Sequence, residues 1–278
     1  MRKTERNIIV ALLLIIYLMI VGDDFKDNTM VQNTIAIACS IIAPIIVFFI
    51  DSFLSNIKRI RLWFLSKLLY RKKRIRVSMS YIYRIHVNDK YLLVRNSKWS
   101  YYQPVGGVYK VLSEDVGFLK DNFNWGKDPY MKTNGEKRND LRGAIPMPRL
   151  ISFLDWFNSQ KNREISHWRE FFEELIKTGI LSIEDFPHFE YRYAGTLRTP
   201  IKKSEKWKDC LEILSYDVFD LIPTPEQEEI LKNTQNENTK EILWVEESVI
   251  LNNGVINKDE EIKIGQHTKW SIEMKYSK

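Results

Sequence analysis

The stretch His167 to Gly179 reads HWREFFEELIKTG. Its spacing predicts a helix over Glu164 to Lys177, with Phe172, Leu175 and Ile176 turned toward a core and Gly179 as the stop. Glu170, Glu173 and Glu174 then stand at i, i+3 and i+4 and share one stripe. Like charges so placed repel by about 0.2–0.5 kcal/mol per pair on an exposed helix. Two readings account for them. In one the carboxylates are a solvated acidic face. In the other they hold a hard divalent cation, and Mg²⁺ is the expected ion because it takes carboxylate and phosphate oxygens together.

Working outward, the sequence alternates between strand and helix texture. VSMSYIYRIHV, an Asn88-Asp89 turn and KYLLVRN predict a hairpin. WSYYQPVGGVYKV, from Trp99, is another extended piece and carries the pair Gly106-Gly107, while residues 120–145 are polar and read as a loop or insertion. A helix is expected over Pro148 to Asn158, and extended segments over Phe189 to Thr199 and Cys210 to Asp217. Thr224 caps a helix running to Asn233, with Pro225 at its first position and Gln227 three residues after the cap. This mixed order argues for an α/β or α+β domain over residues 77–278, with an insertion at about 111–160.

The first 50 residues are different. Asn7 to Gly22 is 16 residues without a charge, about 24 Å as a helix. Asn28 to Ile50 is 23 residues without a charge and includes Pro44. A hydrocarbon core of ~30 Å makes the second run long enough to cross and the first slightly short, a deficit that snorkelling Arg6 and Asp23 can cover. The expectation is a two-helix transmembrane hairpin over 1–50. A cleaved signal peptide is the rival for the first run, but no small-residue cleavage site follows it. Arg2, Lys3 and Arg6 precede the first run, Asp23, Asp24 and Asp27 lie between the two, and no Asp or Glu interrupts the cations from Lys58 to Arg76. Positive charge stays inside, so both termini are expected in the cytoplasm, joined outside by a short acidic hairpin. Residues 51–76 read as a basic juxtamembrane helix that either lies along the headgroups or continues the second span.

The net charge of +6 resides largely in that basic segment. It argues for anionic lipid at about 1 kcal/mol per cation rather than for a nucleic-acid polymer. Two cysteines, Cys39 and Cys210, support neither a disulfide framework nor a cysteine zinc site.

Gly106, Gly107 and Arg169-Glu170-Phe171-Phe172-Glu173-Glu174 resemble the NUDIX box. The resemblance implies an α/β/α sandwich in which Arg169 orients Glu170, the candidate general base. Glu170, Glu173 and Glu174 would be metal ligands, and the glycine pair would let backbone approach phosphates. The spacing departs from the box. Arg169 comes 62 residues after Gly107, Glu164 is a candidate for part of a missing glutamate's role, and Gly179 falls five residues after Glu174.

Together with the apolar runs, YYQPVGGVYK, HWREFFEELIKTGIL, YRYAGTLRTPI, PTPEQ and GQHTKW are similar to the SMODS-associated NUDIX family over nearly the whole chain. That likeness implies a membrane effector of bacterial CBASS anti-phage systems. Its NUDIX-like domain would read a cyclic oligonucleotide made by a partner nucleotidyltransferase, and its helices would oligomerise or rearrange and breach the inner membrane. The alternative is a tethered Mg²⁺-dependent hydrolase of nucleoside diphosphate-linked substrates. A nucleotide pocket needs rings for bases and cations for phosphates. Trp99, Tyr101 and Tyr102 are candidates for one wall, with ordinary core packing as the competing account. Arg192, Arg198, Lys202 and Lys203 are candidate phosphate contacts, and His167, Trp244 and His267 are weaker ones.

Overall fold

The computed structural model describes residues 29–96, 99–112, 115–128, 130, 139–236, 239–257 and 260–276. The chain divides into two compact units, Met1–Leu65 and Ser66–Lys278.

In the first unit, α1 (Thr29–Phe64) runs for 36 residues with Pro44 inside it. It passes without a break from the apolar run into the basic segment, so of the two arrangements expected for that segment it takes the one that continues the second run. The apolar run Asn7 to Gly22 and the acidic connection after it lie outside the described residues. Among the described residues no helix is long and apolar enough to cross a membrane. Side chains at several positions between 31 and 42 of α1 are also outside that set.

The second unit carries β1 (Arg74–Arg84), β2 (His86–Val87), β3 (Lys90–Arg95), β4 (Tyr102–Gln103), β5 (Gly106–Val108), α2 (Val116–Phe123), β6 (Gly126–Lys127) and β7 (Arg142–Pro146). Then follow α3 (Leu150–Asn158), α4 (Trp168–Phe171, prolonged by a π-helical turn Phe172–Ile176), β8 (Glu190–Arg198), β9 (Lys202–Lys203) and β10 (Leu211–Ile222). The chain ends in α5 (Pro225–Thr234), β11 (Ile242–Glu246), α6 (Glu247–Leu251) and α7 (Gln266–Glu273). One sheet has the order β6-β7-β1-β10-β8, with β5 also on β1 and β9 on β10; the other has the order β11-β3-β2, with β4 on β3. The fold is mixed α/β.

The parallel pair β1 and β10 is the centre of the larger sheet, with Arg76 opposite Glu212 and Tyr83 opposite Phe219. Both faces of β1 are covered. Ile75, Val77, Met79, Tyr81 and Tyr83 are fully buried on one, and Arg76, Ser78 and Ile82 are buried on the other. The strand RIRVSMSYIYR therefore alternates, with apolar side chains on the first face and mostly polar ones on the second. The predicted hairpin exists only as β2 and β3, joined by Asn88 and Asp89 with φ of 50° and 59°, the pair of left-handed residues a tight hairpin turn requires. The chain switches sheets at Ile85.

Three sequence expectations change here. The helix at the glutamates starts at Trp168 rather than Glu164, because Glu164 N–H donates to Lys110 C=O at 2.8 Å and is held extended. Its core face is Phe171 and Leu175, both fully buried, while Phe172 is exposed. Phe171 and Leu175 stand at i and i+4 on one face, and the helix closes in a π turn in which Lys177 N–H reaches back five residues to Phe172 C=O. The segment read as a loop holds β6 and the start of β7, which extends the sheet from β1; Trp125 stacks on Phe153 of α3 at 5.6 Å. Other elements form as expected. Thr224 Oγ1 accepts from Gln227 N–H at 3.3 Å, and Gln227 Oε1 from Thr224 N–H at 3.1 Å, a reciprocal cap.

Candidate ligand-binding cavity

The even-numbered side chains of β1 and β10 do not meet a close-packed layer throughout. Arg76, Ser78 and Ser80, with Glu212, Leu214 and Tyr216 beside them, form the floor of a cavity of about 690 Å³. Small serines leave the space, and the size falls within the roughly 300–1,000 Å³ usual for small-molecule sites. Gly106, Gly107, Glu170, Glu173 and Glu174 line it, as do Trp99, Tyr101, Lys202, Lys206 and the first turns of α7. Residues distant in sequence are thus brought to one hollow.

At the glutamate side, Arg169 holds the elements together. Its Nε and Nη2 donate to the two carboxylate oxygens of Glu164 at 2.9 and 3.1 Å, Nη2 also reaches Val108 C=O at 2.9 Å, and Nη1 binds Glu170. Such a bidentate fork fixes both partners. Burial works against the Arg169 charge, but its bonds to Glu164 and the charge of Glu170 outweigh this and raise its pKa further. The glycines serve the carboxylates directly. A Cβ at Gly107 would collide with the Glu170 carboxylate, and one at Gly106, whose φ is +154°, with the Tyr81 carbonyl. Gly106 N–H donates to Glu174 Oε2 at 3.0 Å. Burial, reinforced by the charges of Glu170 and Glu173 and opposed by that N–H, pushes Glu174 up to about 8. Glu170 is raised too, by burial that outweighs Arg169.

The other side is cationic and aromatic. Arg76 is buried and bonded to Asp128 at 2.9 Å and Glu212 at 3.1 Å, with its guanidinium 4.6 Å from the Trp207 ring centre. It therefore belongs to the sheet and not, as the charge count suggested, to the lipid-facing set. Lys206 Nζ sits 4.4 Å from the ring centre of Trp99 and 5.9 Å from that of Tyr101. His267 stacks on Tyr216 at 5.7 Å with the planes 5° apart, and burial, with Lys206 adding to it, pushes its pKa down to about 4. The imidazole is neutral at pH 7.

Not every expected residue arrives. Tyr102 alternates away from Tyr101, packs against the cluster of Leu93, Val245 and Ile250, and donates to Lys240 C=O at 3.1 Å. It does not line the cavity. Arg192 is largely exposed on Asp220, Lys203 is exposed on β9, and Arg198 donates to Ser215 Oγ at 3.3 Å. His167 lies among Tyr81, Tyr109 and Phe219, where burial pushes it down to about 4. Trp244 donates to Thr234 Oγ1 at 3.1 Å. Sequence reasoning missed Arg76, Arg142, Lys206 and Tyr216. A cation inside a strand pattern was the available signal for the first two, in RIRVSMSYIYR and RGAIP.

The metal expectation meets a different arrangement. Among the described residues no three His, Cys, Asp or Glu side chains form a group that could hold a metal ion. Glu170 is engaged by Arg169 and Glu174 by Gly106 N–H, while all three carboxylates line the cavity.

A family model, the SMODS-associated NUDIX domain, matches residues 74–272. The chain belongs to the SMODS-associated NUDIX family. The match begins with the first residue of β1 and ends within α7, so the NUDIX domain contains the whole cavity. No curated protein and no solved structure matches the chain. The family points to an effector in defence-type systems, and NUDIX domains generally use a divalent metal.

Proposed function

We propose that this chain is a membrane-anchored effector of a CBASS anti-phage system whose cytosolic NUDIX domain binds a cyclic oligonucleotide signal. The observation that carries the reading is one cavity of nucleotide size in which Trp99, Tyr101, Tyr216 and His267 stand beside Arg142, Lys202 and Lys206. Rings accept bases at about 1–3 kcal/mol each, and cations accept phosphates. The uncharged sequence runs Asn7 to Gly22 and Asn28 to Ile50, with the cations that flank them, support an anchor in the inner membrane with both termini cytoplasmic. The signal comes from a cognate nucleotidyltransferase, and the chain assembles as a homo-oligomer whose membrane helices breach the bilayer.

A Mg²⁺-dependent hydrolase of nucleoside diphosphate-linked substrates is the second reading, favoured by the three glutamates that face the same cavity. Dye release from liposomes carrying the full chain, challenged with a panel of cyclic di- and trinucleotides, separates the two. Release that Trp99→Ala shifts to higher ligand concentration supports the effector. Metal-dependent turnover without release, lost in the Glu173→Gln/Glu174→Gln double variant, overturns it.

A further inference from the structure

We infer that Arg142 is the phosphate-recognising side chain of this cavity, with Lys206 as its mobile second cation, and that together they take a phosphodiester or pyrophosphoryl group. The inference deepens the ligand-binding reading above and rests on it for the cavity's being a ligand site. Arg142 opens β7 and lies opposite Ser78 of β1, so its side chain shares the cavity face with Ser78 and Arg76. Its neighbour Arg76 is spoken for by Asp128 and Glu212. Arg142 is not: its Nε is closed off from solvent and has no hydrogen-bond partner among the described residues, although Asp140 lies near enough to act on its charge. A buried donor on a cation that is left unmade is costly and calls for an acceptor. A planar guanidinium facing a hollow fits the two oxygens of a phosphate.

Position supports this. Along β1, Gly107 pairs with Tyr81 and Arg142 with Ser78 on the same strand edge. Three residues of strand set the two about 10 Å apart. A ligand whose phosphate meets Arg142 can therefore extend to the glycine pair. Lys206 completes the arrangement. It rests over the faces of Trp99 and Tyr101 while partial burial and the charges of Arg76 and Arg142 disfavour its own charge. An arriving anion relieves that repulsion and draws the ammonium off the rings, and a base then takes its place on Trp99.

The test is calorimetry on the full chain in lipid nanodiscs with EDTA present, so that no metal-carboxylate site contributes. The probes are inorganic pyrophosphate, a 3′,5′-linked cyclic di-adenylate, and adenosine as the uncharged comparison. Pyrophosphate is expected to bind, with at least a tenfold weakening in Arg142→Gln and a smaller one in Arg142→Lys, which keeps the charge but not the fork. Wild-type affinity for pyrophosphate in a folded Arg142→Gln, or no pyrophosphate binding by the wild type, overturns the inference. If Arg142→Gln does not fold, Arg142→Lys decides: a threefold or greater loss supports the inference, and unchanged binding overturns it. Pyrophosphate binding through Arg142 without binding of any cyclic nucleotide leaves this inference standing and removes the cyclic-oligonucleotide reading. Cyclic di-adenylate binding that is indifferent to both variants does the reverse.

Discussion

Replacing Glu174 by glutamine tests whether that carboxyl is protonated in the folded domain. Burial beside Glu170 and Glu173 raises it to about 8, whereas an unfolded chain holds it near the ordinary carboxylate value of 4.5. The folded state therefore binds the extra proton between these limits, so stability attributable to this group is complete below pH 4.5 and falls as pH rises toward 8. Between pH 5 and pH 7 the slope approaches one proton, and the loss is up to about 2.5 kcal/mol. Glutamine is close in shape to the neutral acid, and its amide oxygen can still accept from Gly106 N–H. Urea denaturation of the full chain in detergent, for wild type and Glu174→Gln at pH 5 and pH 7, measures the difference of differences, in which other carboxylates cancel. The variant is expected to match the wild type at pH 5 and to be the more stable of the two at pH 7. Parallel pH dependence in the two proteins would refute the buried, protonated Glu174.

Two further outcomes follow from the cavity walls. Asp128→Asn leaves Arg76 buried with Glu212 as its remaining carboxylate and should cost about 3 kcal/mol, read as a lower urea midpoint at constant slope. Gly107→Ala places a methyl group where the Glu170 carboxylate lies, so a loss of about 1–3 kcal/mol is expected by thermal denaturation as Glu170 or α4 is displaced.

Much of the local structure was legible because local chemistry decides it. The Thr224 cap needs only Thr224, Pro225 and Gln227, and the Asn88-Asp89 turn needs two residues tolerant of positive φ. The glutamate helix was legible in outline only. Its start depends on Lys110, which accepts from Glu164 N–H 54 residues away, and it closes in a π turn that periodicity does not encode. The glycine pair, expected to let backbone approach phosphates, lines the cavity and also makes room for Glu170 and Glu174. The cationic end of the cavity was harder to read, because Arg76 resembles one more member of a basic run, Arg142 stands at the first position of a short strand, and Lys206 lies in a polar segment with no periodic signature.

The sequence alone determined that the chain opens with apolar runs and a basic stretch, that a mixed α/β domain follows, and that three glutamates share a helix with Arg169 as their neighbour. These are matters of spacing, capping and charge between residues close in the chain. Only the tertiary structure decided what those residues face. The parallel pairing of β1 with β10 sets Arg76 opposite Glu212, and the strand added at β7 sets Arg142 opposite Ser78. The hollow brings Ser78 and Ser80 of β1 together with Gln266, His267 and Trp270 of α7, far apart in sequence. Register between distant strands governs which side chains meet, and no local pattern carries that register.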